Sequence, residues 1–222
     1  MKTCRIINFH GIGTPGRQLD PGEATYWVGR TQFEAILDRI VYHNLRSPIR
    51  ITFDDSNSSD VEIAALELMR RKLTATFFVL TGRIGQPGSL DATNVRQLQS
   101  MGMRIGSHGI DHRDLRTLDS NALALELAGS KSALKQLSVV ASTFAIPFGR
   151  YNSKVLREIR KAGYESAHTS DGGAALQGAF IQARSSVRGD MGDGEIETIL
   201  AGHLPLYRQL RRNVVTTIKR FV

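Results

Sequence analysis

From Ile51 to Thr169 the chain alternates short runs of β-branched and aromatic residues with longer amphipathic stretches, a rhythm that few folds accommodate. Strands are expected at Ile51–Phe53, Leu73–Leu80, Met103–Ser107, Ser142–Pro147 and Tyr164–Thr169. Between them, helices are expected over Val61–Lys72, Ala92–Met101, Ser120–Leu137 and Ser153–Ala162, the last ended by Gly163 in a left-handed cap. Strand and helix in turn, joined by short links, predict parallel strands wrapped by helices, as either a barrel or an open sheet. Upstream, Cys4–Phe9 reads as a first strand running into the turn His10-Gly11-Ile12-Gly13, and Gly13–Tyr26 reads as loop. A helix then starts at Thr31, with Thr31 and Glu34 as a capping box and Phe33, Ile36, Leu37 and Ile40 on one apolar face. Ser185–Glu195, rich in glycine and acids, reads as loop.

A chain of 222 residues, 41% hydrophobic, can bury a full core, and residues 1–222 are read as a single domain. The lone Cys4 excludes an internal disulfide framework. No run reaches the roughly 18 to 20 apolar residues of a membrane span, and Met1–Gly13 lacks the apolar length of a signal peptide, so a cytoplasmic setting is expected. The net charge is +8, and Arg208, Arg211, Arg212, Lys219 and Arg220 carry five of those charges in a segment without acids. Residues 204–222 can form a basic helix with Leu206, Leu210, Val214 and Ile218 on one stripe. Two roles fit it: docking on the core with a solvated basic face, or peripheral contact with anionic headgroups at the inner face of a membrane. No reader motif or aromatic platform accompanies the charge, so nucleic acid is not an expected partner.

Asp54 and Asp55 follow an apolar strand directly, and the carboxyl end of a strand is where folds of this class carry chemistry. Two adjacent carboxylates resist ionising together unless a cation or strong donor compensates them. His108 and His112, four residues apart behind Gly106-Ser107, offer two imidazoles on one side of a turn. Two histidines and one carboxylate, with a position left for water, form the ligand set of a catalytic zinc site.

Three segments taken together resemble the first three motifs of NodB-type polysaccharide deacetylases, carbohydrate esterase family four. They are Thr52-Phe53-Asp54-Asp55, Ser107-His108 with His112, and Phe144-Ala145-Ile146-Pro147-Phe148-Gly149, and the likeness runs from about Ile49 to about Arg188. The resemblance implies the NodB homology fold, a distorted (β/α)7-type α/β barrel. It implies that Asp55, His108 and His112 hold one divalent metal, zinc above all, and that Asp54 is the general base. It implies, too, that the backbone amide of Phe148 helps to hold the oxyanion, with Pro147 and Phe148 shaping the substrate groove. The implied reaction is removal of an N-acetyl group from an amino sugar in a polysaccharide or lipid-linked saccharide.

Where this chain departs from the family pattern, specific questions arise. Ala145 stands where an arginine usually orients the base, leaving Arg150 and Arg184 as candidates for that task. Gly109 and Arg113 replace the hydroxyl residue and the proline that often follow the two metal histidines. The general acid is expected at His10, which resembles the Tyr-His or Phe-His of circularly permuted members whose last motif lies at the N-terminus, with His203 as the alternative. His43 and His168 are read as structural. Trp27, the only tryptophan, could stack on a sugar ring or pack under a loop. Two other functions stay open: an amidase acting on a small or cyclic nitrogen compound, and an inactive saccharide-binding module, to which Ala145 lends weight.

Overall fold

The computed structural model describes residues 2–45 and 47–202; His203 and the basic segment 204–222 fall outside them. Nine strands form one sheet among the described residues: β1 (Thr3–Phe9), β2 (Ile49–Phe53), β3 (Ala75–Val79), β4 (Arg104–Ser107), β5 (Thr143–Ala145), β6 (Ser166–Thr169), β7 (Ala174–Leu176), β8 (Ile181–Ala183) and β9 (Ser185–Ser186). Seven of them, β1 to β6 and then β8, run side by side and parallel, as the strand-helix rhythm requires. One extended stretch, Ile181–Ser186, brings the two edges together, pairing with β6 through β8 and with β1 through β9. Arg184 sits at the junction. The short antiparallel β7 covers the outer edge of β1, and the Gln182 amide donates to the carbonyls of Leu176 (2.9 Å) and Ala179 (2.5 Å). The result is a nearly closed barrel, the fold class expected.

Helices α1 (Arg30–Asn44), α2 (Ala65–Arg70), α3 (Ala92–Ser100), α4 (Ser120–Ala124), α5 (Ser130–Gln136), α6 (Ser153–Lys161) and α7 (Asp193–Ala201) accompany the sheet. Successive strand residues face opposite sides, so Phe9, Phe53 and Phe77 point outward into the helix layer while Asn8, Thr52 and Asp54 point into the barrel. The Phe53 and Phe77 rings stack at 4.6 Å, and Phe9 meets Phe33 of α1 edge-on at 5.1 Å. Each such ring, removed from water, contributes about 2–3 kcal/mol. Strand alternation thereby commits Asp54 to the barrel interior before any tertiary contact forms.

Several local expectations needed correction: the stretch expected as helix over Val61–Lys72 opens with a π turn at Asp60–Ala64, and a short 3-10 helix, Glu23–Tyr26, lies within the expected loop. Helix α1 starts at Arg30 with Gly29 as its cap and no side-chain cap; Thr31 is already inside the helix, and Glu34 pairs with Arg30 at 2.9 Å instead of closing a capping box. Ser120–Leu137 is interrupted by a π turn at Leu125–Gly129. Ser185–Glu195 is not all loop, because Ser185 and Ser186 complete the barrel and α7 begins at Asp193, whose carboxylate pairs with Arg39 at 2.7 Å.

Candidate metal centre and catalytic cleft

A cleft of about 550 Å³ opens at the carboxyl end of the strands, where Asp54, Asp55, His108 and His112 meet Phe148 and His10. Asp54 arrives by strand alternation, but Asp55 would face the helices if the chain stayed extended. Left-handed backbone at Asp55 (φ 75°) and Ser56 (φ 59°) turns it back, a conformation that costs non-glycine residues energy and marks a functional constraint.

Three ligand-type atoms converge. Asp55 Oδ1 is 3.4 Å from His108 Nε2 and 3.5 Å from His112 Nε2, and one donor atom from each residue lies within 4.8 Å of the others. Asp55 Oδ1 is buried without a hydrogen-bond partner, an arrangement that costs energy unless a cation or donor answers it. His108 Nδ1 is 2.8 Å from the Ala145 carbonyl, which fixes the ring and leaves Nε2 facing the cleft. The donor set and the orphaned oxygen both fit a divalent metal. Electrostatics agree. Burial opposes a charge on Asp55, yet the His108 imidazole beside it, with His10 and His112 nearby, holds its carboxyl well below the usual range. Burial would also lower His108, but Asp54 and Asp55 outweigh it and raise the imidazole. Burial, then His108, pushes His112 down to about 4, so that ring is neutral, the form that ligates metals.

Asp54 is held differently. Arg184 donates from Nη1 to Oδ1 (2.7 Å) and from Nη2 to Oδ2 (2.8 Å), and Asn8 Nδ2 donates to Oδ2 at 3.0 Å. Burial would raise this carboxyl, but Arg184 foremost and then His108 bring it down to about 2. Arg184 also donates to Asn8 Oδ1 at 2.8 Å, and the Thr52 hydroxyl donates to the same oxygen at 2.6 Å. The guanidinium absent at Ala145 is thus supplied from the closing strand. Arg150 also lines the cleft, but its carboxylate partner is Asp114, at 3.4 Å, and not Asp54.

The histidine loop has its own brace. Glu126, buried in the π turn, accepts from the amides of Ile110 (2.6 Å) and Asp111 (3.4 Å) through Oε2. Gly109 has φ 91°, and a Cβ there would lie 2.9 Å from that same oxygen. Where the family pattern has a hydroxyl residue and a proline, this chain has a glycine turn tied to a buried acid. Pro147-Phe148-Gly149 forms a tight turn with Phe148 at φ 58°, its ring half exposed and 4.3 Å from His112.

His10 lines the cleft, its ring 4.8 Å from Tyr26 and its Nδ1 buried without a partner. Trp27 does not line it. The indole lies over Gly11, where a Cβ would overlap it, so packing under the loop is what the tryptophan does and its expected sugar contact is withdrawn. Tyr26 occupies the wall in its place, with Asp20, Glu23, Arg83 and Asp111. That wall is fastened by Arg17, which pairs with Glu23 and donates to Asn57 Oδ1 at 3.0 Å, and by Arg83, 2.8 Å from Asp20. His43 is 2.7 Å from Glu197, outside the cleft.

Residues 43–167 match the family model for polysaccharide deacetylases, more than half of the chain. YxkH of Bacillus subtilis is 30% identical over 141 residues, 63% of this chain and 50% of that protein. The chitooligosaccharide deacetylase of Rhizobium leguminosarum bv. trifolii is 29% identical over 124 residues, 55% of this chain and 56% of its own length. The chain thus spans about half the length of these curated relatives. Among solved structures, the Streptococcus pyogenes deacetylase PplD superposes with a TM-score of 0.76 at 23% identity, over 92% of this chain and 99% of that one. That likeness carries the fold.

Proposed function

The chain belongs to the polysaccharide deacetylase family, and on that premise we propose that it hydrolyses the N-acetyl group of an amino sugar within a saccharide, releasing acetate and a free amine. The observation that carries this reading is a division of labour between adjacent carboxylates: Asp55 has an unpartnered oxygen facing two imidazoles, while both oxygens of Asp54 are held by Arg184. Asp55, His108 and His112 would hold a divalent metal, zinc suiting the donor set best. When bound, such an ion polarises the amide carbonyl and makes water acidic enough to lose its proton near neutral pH.

The chain's own residues supply the rest. Asp54, held ionised at about 2, is a weak base toward bulk water and accepts a proton only from a group made acidic beside it. Arg184 and Asn8 fix its oxygens, so the base needs no reorientation when the proton moves. The left-handed turn at Phe148 directs its backbone amide to the developing oxyanion, and His10 delivers a proton to the leaving nitrogen. Tyr26 and the half-exposed Phe148 ring offer apolar faces for the sugar. Ala145 no longer argues for an inactive module, because Arg184 performs the task of the missing arginine. The setting we propose is the cytoplasm, with the basic segment 204–222 drawn to anionic headgroups where a lipid-linked saccharide is held; absence of sedimentation with acidic vesicles would refute that contact. No helix among the described residues is long and apolar enough to cross a membrane.

Acetate release from a panel of N-acetylated sugars and small amides, with and without chelator, tests the reaction. Chelation abolishes turnover, and Asp54→Asn lowers kcat by about 10²–10⁴-fold with bound metal retained. Turnover confined to small amides, or an Asp54→Asn protein as fast as wild type, would overturn the reading. A His10→Ala protein that keeps full activity while His203→Ala loses it would transfer the acid role to His203.

A further inference from the structure

The barrel has a second cavity, of about 580 Å³, at the amino end of its strands and thus opposite the catalytic cleft. Barrel interiors are ordinarily filled by branched apolar side chains. In this one Thr52, Thr76, Thr143 and Ser166, from β2, β3, β5 and β6, share the wall with apolar residues such as Ile6, Ile105 and Val139. At its mouth stand Arg50 of β2 and Arg104 of β4, both exposed; the exposed Glu165 also lines the cavity, but neither arginine forms an ion pair with it or with another carboxylate among the described residues, and the two guanidinium groups outnumber the one acid. At its floor, His168 and Gln182 are opposite each other across the β6–β8 pair and are 7% and 3% exposed. Each carries an unsatisfied buried atom, His168 Nδ1 and Gln182 Oε1. Burial, then Arg184, pushes His168 down to about 3, so it is a neutral imidazole able to exchange one hydrogen bond.

These features specify a ligand from two sides. Two guanidinium groups at the mouth ask for an anion, whereas an amide oxygen at the floor asks for a hydrogen-bond donor. We propose that this cavity binds a phosphate group, free or as a monoester, its anionic oxygens met by Arg50 and Arg104 and its protonated oxygen or attached hydroxyl by Gln182 and His168. A phosphate carries at least one O–H near neutral pH when free, while sulfate has none. Thr52 lines this cavity and its hydroxyl is 3.3 Å from Arg184 Nη1, so an occupant is one side chain away from the clamp on Asp54.

The test is calorimetric titration of the full-length protein with inorganic phosphate, sulfate and a sugar monophosphate, together with the NMR signals of the His168 ring nitrogens. Phosphate is expected to bind more tightly than sulfate and to shift the His168 signals, and Arg50→Gln or Arg104→Gln is expected to weaken it at least tenfold. Tighter binding of the ester assigns the phosphorylated sugar as ligand; equal binding assigns the free ion. Phosphate held as well by both arginine variants places the anion elsewhere, for instance at the catalytic cleft, and overturns the proposal. Unmoved His168 signals, or sulfate bound as tightly as phosphate, do so as well.

Discussion

At the carboxyl end of the strands Asp54 is gripped through both oxygens by a fully buried Arg184, while at the amino end Arg50 and Arg104 stand exposed around a cavity they share with Glu165, without an ion pair to it or to any other carboxylate among the described residues. The contrast follows from solvation. A carboxylate taken out of water must be answered inside the protein, or it neutralises or disrupts the fold. A guanidinium at an open mouth is answered by water until an anion replaces it. Asp54 is therefore neutralised by its own chain, whereas the two amino-end arginines are not.

The largest effect is expected where that internal answer is removed. Arg184→Ala strands the Asp54 charge in the barrel and should cost about 3–5 kcal/mol of stability, read from urea midpoints. Adding Asp54→Asn should restore part of this loss, because the charge needing compensation has gone. The pH dependence follows with a definite sign. Asp54 is held down to about 2 in the folded protein, so the stability it brings is complete above the ordinary carboxylate range, near 4, and is lost as pH falls through about 2. A loss below about 1 kcal/mol in Arg184→Ala would mean that the two ends are not different in kind.

How much of this could be read beforehand depends on the length scale of each cause. The parallel barrel follows from local periodicity, and Asp54, Asp55, His108 and His112 stand out because strand-end acids and spaced imidazoles are unusual in short windows of sequence. Arg184 is one of two candidates in the sequence; nothing local separates it from Arg150, since its place in the barrel depends on one stretch closing β6 to β1. Asn8 and Glu126 were missed. An asparagine in an alternating strand reads as a solvent-facing residue until closure makes that face an interior, and a glutamate on a helix reads as exposed until a π turn rotates it under the histidine loop. The Thr31 capping box failed in the opposite way, a correct local pattern overruled when the helix started one residue early.

A second, smaller effect arises at the floor of the amino-end cavity. His168 is pushed down to about 3 by burial and then Arg184, so between the ordinary imidazole range and that value the unfolded chain takes up a proton that the folded protein refuses. Folding is unaffected by this group above about pH 6.5 and loses about 1.4 kcal/mol per pH unit below it. Urea titrations from pH 7 to 5 should show this slope in wild type and a shallower one in His168→Gln. Identical slopes would mean that His168 is protonated in place.

The smallest effect is the most pointed test of the contrast. Arg104→Gln removes the same functional group as Arg184→Ala, but from a site where water is already its partner. Stability should stay within about 0.5 kcal/mol of wild type, and kcat for acetate release within about twofold, when no phosphate is present. A drop above about 1 kcal/mol would require Arg104 to be neutralising something inside the barrel, and the cavity would then be scaffolding rather than a vacancy for an anion. Unchanged stability combined with lost phosphate affinity separates the two: the group contributes nothing to folding, and its position at the mouth of the cavity is accounted for only by what it binds.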